Sequence, residues 1–251
     1  MTMRIAVAGK GGTGKTTLTA LLIRYLLEKR PGKSILAVDA DANANLNEAL
    51  GLSVTETIGT ILEDTKKPDA VPTGMTKDIF IEYRLSRALV ETTHFDLVVM
   101  GNPQGPGCYC YPNDLLKRYL ENLGKNYDYL LVDNEAGLEH LSRRLLPKAD
   151  LFLVTSDTSA RGIRSARRVR EIVESVKIEV GKIGLVISRG HGGEAEQLSE
   201  EIAQSGLPLF GEIPYDPQVV EYDLTGKALL DLPAGSPAVL AAARLFEGLS
   251  I

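Results

Sequence analysis

The segment Gly9–Thr17 has the residue types and the spacing of a loop that binds phosphate groups. It reads G-K-G-G-T-G-K-T-T, satisfies the pattern G-x-x-x-x-G-K-[ST] and directly follows the apolar run Ile5–Ala8. Glycines let successive backbone N–H groups turn towards phosphate oxygens, and a helix that begins near Lys15 directs the positive end of its dipole at the same point. Lys15 is expected to reach the β- and γ-phosphates, Thr16 to ligate Mg²⁺ and Thr17 to donate to the α-phosphate. The predicted nucleotide-binding residues of this phosphate loop are Gly9, Lys10, Gly11, Gly12, Thr13, Gly14, Lys15, Thr16 and Thr17.

Aspartates follow two further apolar runs. Asp39 comes directly after Ile35–Val38, with Asp41 two residues later, and Asp133 comes directly after Tyr129–Val132. Phosphoryl transfer needs a water held in line and a cation at the phosphate oxygens, and carboxylates at the carboxyl ends of strands suit both tasks. The alternative for Asp39 and Asp41 is a solvated turn, which the phosphate loop on the neighbouring strand disfavours. Asp133 alone is a weak signal of the Walker B type.

Cys108 and Cys110 are the two cysteines of the chain, and both lie in the glycine- and proline-rich segment 101–111. A disulfide across Tyr109 alone would be strained. Two thiolates at this spacing suit one soft metal ion, nickel or zinc, but a closed site usually has four ligands. A second copy of the chain would supply the missing two. The alternative is a pair of small, half-buried side chains in a loop.

Short apolar runs alternate with segments of helical length along the chain. The runs are continuous, as in strands that are buried on both faces of a parallel sheet. They are Ile5–Ala8, Ile35–Val38, Leu97–Met100, Tyr129–Val132, Leu151–Val154 and Ile183–Ile187. Helices are predicted over Thr16–Lys29, Asp114–Leu123, Leu138–Leu146, Ile163–Val176 and Ala238–Leu249. The alternation predicts an α/β fold, a doubly wound, mostly parallel sheet flanked by helices, in one domain over residues 1–251.

Composition and charge exclude several classes of protein. The 251 residues are 44% apolar and 24% charged, which is ordinary for a globular protein, and the net charge of −5 gives no sign of a nucleic-acid partner. No apolar stretch is long enough to cross a bilayer, and Ala238–Leu249 has only Arg244 as a basic residue, so this helix is expected on the sheet and not on a membrane surface. Met1–Arg4 runs directly into the first strand, so neither a signal peptide nor a stable membrane anchor is expected, and a cytoplasmic location is predicted.

Lys10 distinguishes this phosphate loop from an ordinary one. The loop matches G-K-G-G-x-G-K-[ST], the deviant Walker A motif, and the sequence resembles the MinD/ParA/nitrogenase-iron-protein superfamily of P-loop ATPases. The resemblance implies hydrolysis of ATP to ADP by a homodimer, with Lys10 reaching the partner's nucleotide. It also implies that Asp39 lies near Mg²⁺, that Asp41 orients the attacking water and that Asp133 contacts Mg²⁺ through water. The implied catalytic residues are Lys10, Lys15 and Asp41.

Two further segments resemble parts of the same superfamily. Asp133–His140 resembles switch II, which implies that Gly137 contacts the nucleotide. The family usually offers an asparagine to adenine at the end of a late strand, where this sequence reads Val186-Ile187-Ser188-Arg189. Pro214 and Tyr215 resemble the family's other base-side loop, which implies backbone contacts to the nucleotide.

The cysteine segment narrows the resemblance. Together with the segment Asp133–Arg144, it is similar to the CooC-type accessory ATPases, which support nickel insertion into carbon monoxide dehydrogenase, with relatives that serve acetyl-CoA synthase. This resemblance implies a metallochaperone whose dimer shares one nickel or zinc ion between Cys108 and Cys110 of both subunits. One alternative is an ATP-gated iron–sulfur electron donor like the nitrogenase iron protein, whose cluster cysteines lie far apart in the chain. Another is a MinD/ParA-type positioning ATPase, which needs no cysteines.

Overall fold

The computed structural model describes residues 1–65, 67, 70–102, 110–135 and 146–251, without the side chains of 78 and 110–116. Several of the sequence predictions fall outside this description. They are the residue Cys108, residues 136–140 of the predicted switch II with Gly137 among them, and all but the last residue of the predicted helix Leu138–Leu146.

The described strands form one eight-stranded sheet in the order β3-β4-β2-β5-β1-β6-β7-β8. All neighbours are parallel except β3 and β4, so the predicted doubly wound, mostly parallel sheet is confirmed. Each of the six predicted runs lies in a strand, and only Met100 extends beyond one. The strands are β1 (Met3–Gly9), β2 (Ile35–Ala40), β3 (Val90–Glu91), β4 (Asp96–Val99), β5 (Tyr129–Asn134), β6 (Lys148–Ser156), β7 (Glu179–Gly190) and β8 (Leu209–Pro214).

Helices cover both faces of the sheet, as continuous apolar strands require. Alternate side chains of β1 enter different cores: Ile5 and Val7 lie in one, and Ala6 and Ala8 lie in the other. The described helices are α1 (Lys15–Lys29), α2 (Leu46–Ala49), α3 (Ile58–Asp64), α4 (Lys77–Arg87), α5 (Cys110–Leu123), α6 (Ala160–Ser175), α7 (Glu194–Gln197), α8 (Ser199–Ser205), α9 (Pro217–Thr225) and α10 (Pro237–Gly248). Helices α1 and α10 pack on the first core, and α3, α4 and α6 pack on the second.

The last helix packs on the sheet, as predicted from its having only one basic residue, Arg244. In α10, Ala242, Leu245 and Phe246 are buried, and the Phe246 ring lies 5.4 Å from the Tyr25 ring of α1. Because its apolar face is occupied by the core, this helix does not present that face to a lipid surface. Of the helices in the described ranges, none combines the length and the apolar character needed to cross a bilayer.

Gly184 tests how tightly the edge of the sheet is packed. A Cβ added at Gly184 of β7 would lie 2.5 Å from ring atoms of Phe210 on β8. We expect Gly184→Ala to lower the free energy of unfolding by about 1–3 kcal/mol, because the ring must leave its position. Gly248→Ala is the matched control, since a Cβ at this exposed end of α10 meets nothing within 4 Å. Urea titrations that showed equal stability for the two variants would contradict this account of the packing.

Candidate functional site

The phosphate loop links β1 to α1 at the carboxyl edge of the sheet. Gly12 and Gly14 have φ values of 78° and 79°, the left-handed region that glycine adopts without strain. Gly14 is the N-cap of α1, so the free N–H groups of the first helical turn face the loop. The side chain of Lys15 is 7% exposed, whereas Lys10 is exposed. The loop therefore has the backbone geometry of an anion site, with one lysine inside and one on the surface.

The carboxyl groups of β2 and β5 lie beside this loop. Asp39 and Asp133 are register partners on the two strands, and both are buried, at 0% and 1% exposure. The Thr16 hydroxyl donates to Oδ2 of Asp133 at 2.7 Å. Oδ1 of Asp133 is buried and has no hydrogen-bond partner among the described residues. An unpartnered carboxylate oxygen beside a threonine hydroxyl fits the oxygen ligands that Mg²⁺ prefers.

The turn after β2 is shaped by the two aspartates of the predicted switch. Asp39 accepts hydrogen bonds from the backbone N–H groups of Asp41 (3.0 Å) and Leu46 (2.8 Å). Oδ1 of Asp41 accepts from both the backbone N–H (2.8 Å) and the side-chain amide (3.0 Å) of Asn43. Asp39 therefore fixes the turn, and the carboxylate of Asp41, a residue that is only 9% exposed, is held by Asn43.

Burial is the largest cause that raises the pKa values of both carboxyls, and a neighbouring aspartate adds to each rise. Burial raises the pKa of Asp133 to about 7, and the charge of Asp39 adds to the rise, while the Thr16 hydrogen bond and the Lys15 charge oppose it. Burial raises the pKa of Asp39 to about 6, against the backbone hydrogen bonds from Leu46 and Asp41. A cation placed between these groups would remove the repulsion, so the pair favours bound Mg²⁺.

Two cavities flank the phosphate loop. The larger is a cleft of about 420 Å³, lined by Lys15, Thr16 and Asp41 among others. A narrower pocket of about 70 Å³ adjoins it and is lined by Ser188, Pro214 and Tyr215. The described residues common to both are Gly14, Thr17, Arg189, Asp223 and Leu229. A ligand with phosphates in the cleft and an apolar ring in the pocket would fit this shape.

The structure thus brings most of the predicted residues together. Lys15, Thr16, Asp39, Asp41 and Asp133 converge on the loop, as just described. Pro214 is the last residue of β8, and Tyr215 follows it with its ring 5.2 Å from that of His191. Exposed Lys10 is absent from the described lining of both cavities.

Helix α9 is the part of the site that sequence reasoning missed. Val219, Val220 and Asp223 of this helix line the narrow pocket. The signal was present: Asp216 caps the helix by accepting from the backbone N–H of Gln218 at 2.9 Å, and Pro217 follows as the first helical residue. Asn43 and Asn45 in the turn after β2 also line the cleft and were not predicted.

The cysteine pair is placed only in part. Cys110 is the first residue of α5, so the predicted helix Asp114–Leu123 starts four residues earlier than expected. The side chain of Cys110 and the whole of Cys108 are outside the description. Within the described ranges, no three side chains of His, Cys, Asp or Glu are gathered in a metal-binding arrangement. The shared thiolate site therefore stays a prediction.

Known proteins resemble the chain over nearly its whole length. A family model described as the CobQ/CobB/MinD/ParA nucleotide binding domain matches residues 5–230. An uncharacterized ATP-binding protein of Methanocaldococcus jannaschii is 42% identical over 234 residues, 92% of each chain. The carbon monoxide dehydrogenase accessory protein CooC of Rhodospirillum rubrum is 27% identical over 259 residues, 94% of this chain and 91% of that one. The solved septum site-determining protein MinD of Pyrococcus horikoshii, complexed with Mg-ADP, has a TM-score of 0.73 at 23% identity and covers 99% of this chain and 96% of its own.

The raised pKa values predict a pH dependence of stability. The folded state keeps protons on Asp39 up to about pH 6 and on Asp133 up to about pH 7, whereas the unfolded chain loses them near the ordinary value of 3.8. Without Mg²⁺ and nucleotide, the free energy of unfolding should therefore decrease as the pH rises from about 4 to about 7, by up to about 1.4 kcal/mol per pH unit for each carboxyl. Asp133→Asn should flatten this slope in urea titrations with EDTA. Equal slopes for the variant and the wild type would refute the assignment.

Proposed function

Because the chain belongs to the CobQ/CobB/MinD/ParA family of nucleotide-binding domains, we propose that it is a homodimeric ATPase that supports nickel insertion into an enzyme. ATP is hydrolysed to ADP and phosphate, and the nucleotide state sets the geometry of the dimer. Nickel is the cargo, and carbon monoxide dehydrogenase or acetyl-CoA synthase is the client.

The observation that carries the ATPase proposal is the buried Oδ1 of Asp133 beside the phosphate loop, which has no hydrogen-bond partner among the described residues. Thr16 and Asp133 would hold Mg²⁺, with Asp39 adjacent, and the ion would supply charge neutralisation at the phosphate oxygens. Lys15, which is nearly buried and lines the cleft, binds the β- and γ-phosphates from within. The backbone N–H groups of the loop complete the anion site.

Asp41 is the residue proposed to orient the attacking water. Its side chain lines the cleft, and Oδ1 is held in place by the two hydrogen bonds from Asn43. A carboxylate fixed in this way accepts a hydrogen bond from a water molecule and so points a lone pair of the water oxygen at the γ-phosphorus. Asp39 is not free for this role, because both of its oxygens accept backbone N–H groups.

Lys10 is proposed to complete the site of a second copy. Its side chain is exposed, while the next residues of the loop, Gly11 and Gly12, line the cleft. An exposed lysine in a loop that binds phosphates is available to the phosphates of a facing subunit. The arrangement supports a dimer in which the two clefts face each other.

The nickel role has separate support. It comes from the paired thiols of Cys108 and Cys110 and from similarity over 94% of the chain to a protein named as a carbon monoxide dehydrogenase accessory protein. Two thiolates from each subunit give the four ligands of a closed site, and nickel(II) accepts a square-planar set. Zinc, which prefers a tetrahedral set, is the competing ion.

A positioning ATPase of the MinD/ParA type is the second candidate. The likeness in fold to solved MinD favours it. It needs no metal, so the cysteine pair would then be without a role. Metal binding therefore separates the two candidates.

The ATPase proposal predicts different effects for two substitutions in the cleft. Lys15→Ala should weaken ATP binding by at least about tenfold, because a charge-assisted contact to phosphate is lost. Asp41→Asn should leave ATP affinity nearly unchanged and lower kcat by about a hundredfold, the smaller end of the range for a lost proton acceptor. Asp150→Asn, near the amino-terminal end of β6, is the control and should match the wild type. Normal turnover in Asp41→Asn would remove Asp41 from the water-orienting role.

The metallochaperone proposal predicts one nickel ion per dimer. Cys108→Ala and Cys110→Ala should each lower nickel affinity by at least about a hundredfold, since even lost outer partners of a metal cost about ten- to a hundredfold. Affinity in the wild type should weaken as the pH falls, because each thiol must lose its proton. Nickel titration of anaerobically purified protein, with monomer and dimer separated, measures both.

Other outcomes of this titration point elsewhere. Saturation at one ion per monomer, or unchanged affinity in both variants, contradicts the shared site. No nickel binding at all leaves the positioning ATPase. Iron with a charge-transfer absorption band identifies the electron-donor alternative.

A further inference from the structure

Thr155 lies outside the phosphate loop, yet its hydroxyl contacts that loop. It is the penultimate residue of β6, and its Oγ1 lies 2.8 Å from Oγ1 of Thr13. Both side chains are 1% exposed. Buried hydroxyl groups need hydrogen-bond partners, so the direction of each proton in this contact can be worked out.

The two hydroxyls form a chain that ends on the backbone of Lys10. Oγ1 of Thr13 lies 2.7 Å from the carbonyl oxygen of Lys10, which accepts only, so the Thr13 proton points to Lys10. The Thr13 oxygen is then left as an acceptor for the proton of Thr155. The other acceptor near Thr155, the carbonyl oxygen of Ala8, is 3.4 Å away and makes the weaker contact.

Thr155 has a rigid support for this role. In the register of the sheet it pairs with Gly9 of β1 on one side and with Val186 of β7 on the other. A Cβ at Gly9 would lie 2.4 Å from Oγ1 of Thr155 and 2.9 Å from Oγ1 of Thr13. Gly9, the first residue of the loop, therefore leaves room for the two hydroxyls to meet, because it has no side chain. The chain of hydrogen bonds starts from a strand in the centre of the sheet.

We infer that Thr155 is a positioning residue for Lys10, through the hydrogen-bonded chain Thr155 to Thr13 to the Lys10 carbonyl. The side chain of Lys10 is exposed, whereas its backbone carbonyl accepts hydrogen bonds from the hydroxyl and the backbone N–H of Thr13. By holding the Lys10 peptide, Thr155 sets where the ammonium group points when a second copy arrives. This inference rests on the proposed role of Lys10 at the partner's nucleotide.

The test compares Thr155→Val, which has nearly the same shape without the hydroxyl, with Thr155→Ser, which keeps it. Thr155→Val should lower both the association constant of the ATP-dependent dimer and kcat by about tenfold. The ATP affinity of the monomer should stay within about twofold of the wild type. Thr155→Ser should restore both. Thr2→Val is the control for the loss of a buried threonine hydroxyl elsewhere, because Thr2 is 8% exposed and donates to the Gly124 carbonyl at 3.0 Å.

A double-mutant cycle with Lys10→Ala shows whether Thr155 acts through Lys10. If it does, Thr155→Val should have no further effect on dimerisation in the Lys10→Ala background. The inference is overturned if the effects of Thr155→Val and Lys10→Ala on the dimerisation free energy are additive. It is also overturned if Thr155→Val and Thr155→Ser weaken dimerisation equally, or if Thr155→Val weakens ATP binding to the monomer as much as it weakens dimerisation. Thr155→Ala takes the place of Thr155→Val if the latter fails to fold, as judged by circular dichroism.

The same experiment separates this inference from the proposed function. A wild type that neither dimerises with ATP nor hydrolyses it overturns the proposed function, and the inference with it. A wild type that does both, beside an unaffected Thr155→Val variant, overturns the inference alone.

Discussion

The close burial of two carboxyl groups is the constraint on which the rest of the site depends. The parallel register of β2 and β5 places Asp39 next to Asp133, and β1, which carries the phosphate loop, is the other neighbour of β5. Two carboxylates without water repel each other, so the pair persists only with protons or with a cation. A bound cation would replace the proton that Asp133 keeps up to about pH 7. The Thr16 hydroxyl and the phosphate loop lie where such a cation and its anionic ligand would meet.

The central strands and the phosphate loop could be predicted because burial on both faces leaves continuous apolar runs. Strand β8 could not, since Gly211 and Glu212 interrupt its apolar residues and only Ile213 is fully buried. Helix α9 has no fully buried residue, so it lacks a strong apolar stripe, and only its capping residues indicated it. Its side chains line the narrow pocket together with Ser188 and Arg189 of β7, because β8, which ends just before the helix, is paired with β7. No local pattern in the sequence contains that pairing between strands.

The residues of the candidate site also differ in whether the sequence alone could predict them. Residues at strand ends, such as Asp39 and Asp133, were predictable because every parallel strand delivers its last residues to one edge. Thr155 also lies at a strand end, but a threonine there is ordinary in composition. Its importance comes from a contact with Thr13, 142 positions earlier in the chain. Pairings of this kind depend on which strands are neighbours, and the order of strands is a property of the whole fold.

The two lysines of the phosphate loop differ in exposure, and this difference bears on how a dimer would work. Lys15 is nearly buried and already has the Asp133 carboxyl near it, so its charge is largely committed within one chain. Lys10 is exposed, and only its peptide is fixed. Bound phosphates on a facing subunit would give this ammonium a partner that the described part of the monomer does not supply, so nucleotide would favour the dimer. A metal ion held by both subunits would also favour the dimer and so strengthen nucleotide binding. By reciprocity, nucleotide would strengthen metal binding by the same factor as the metal strengthens nucleotide binding.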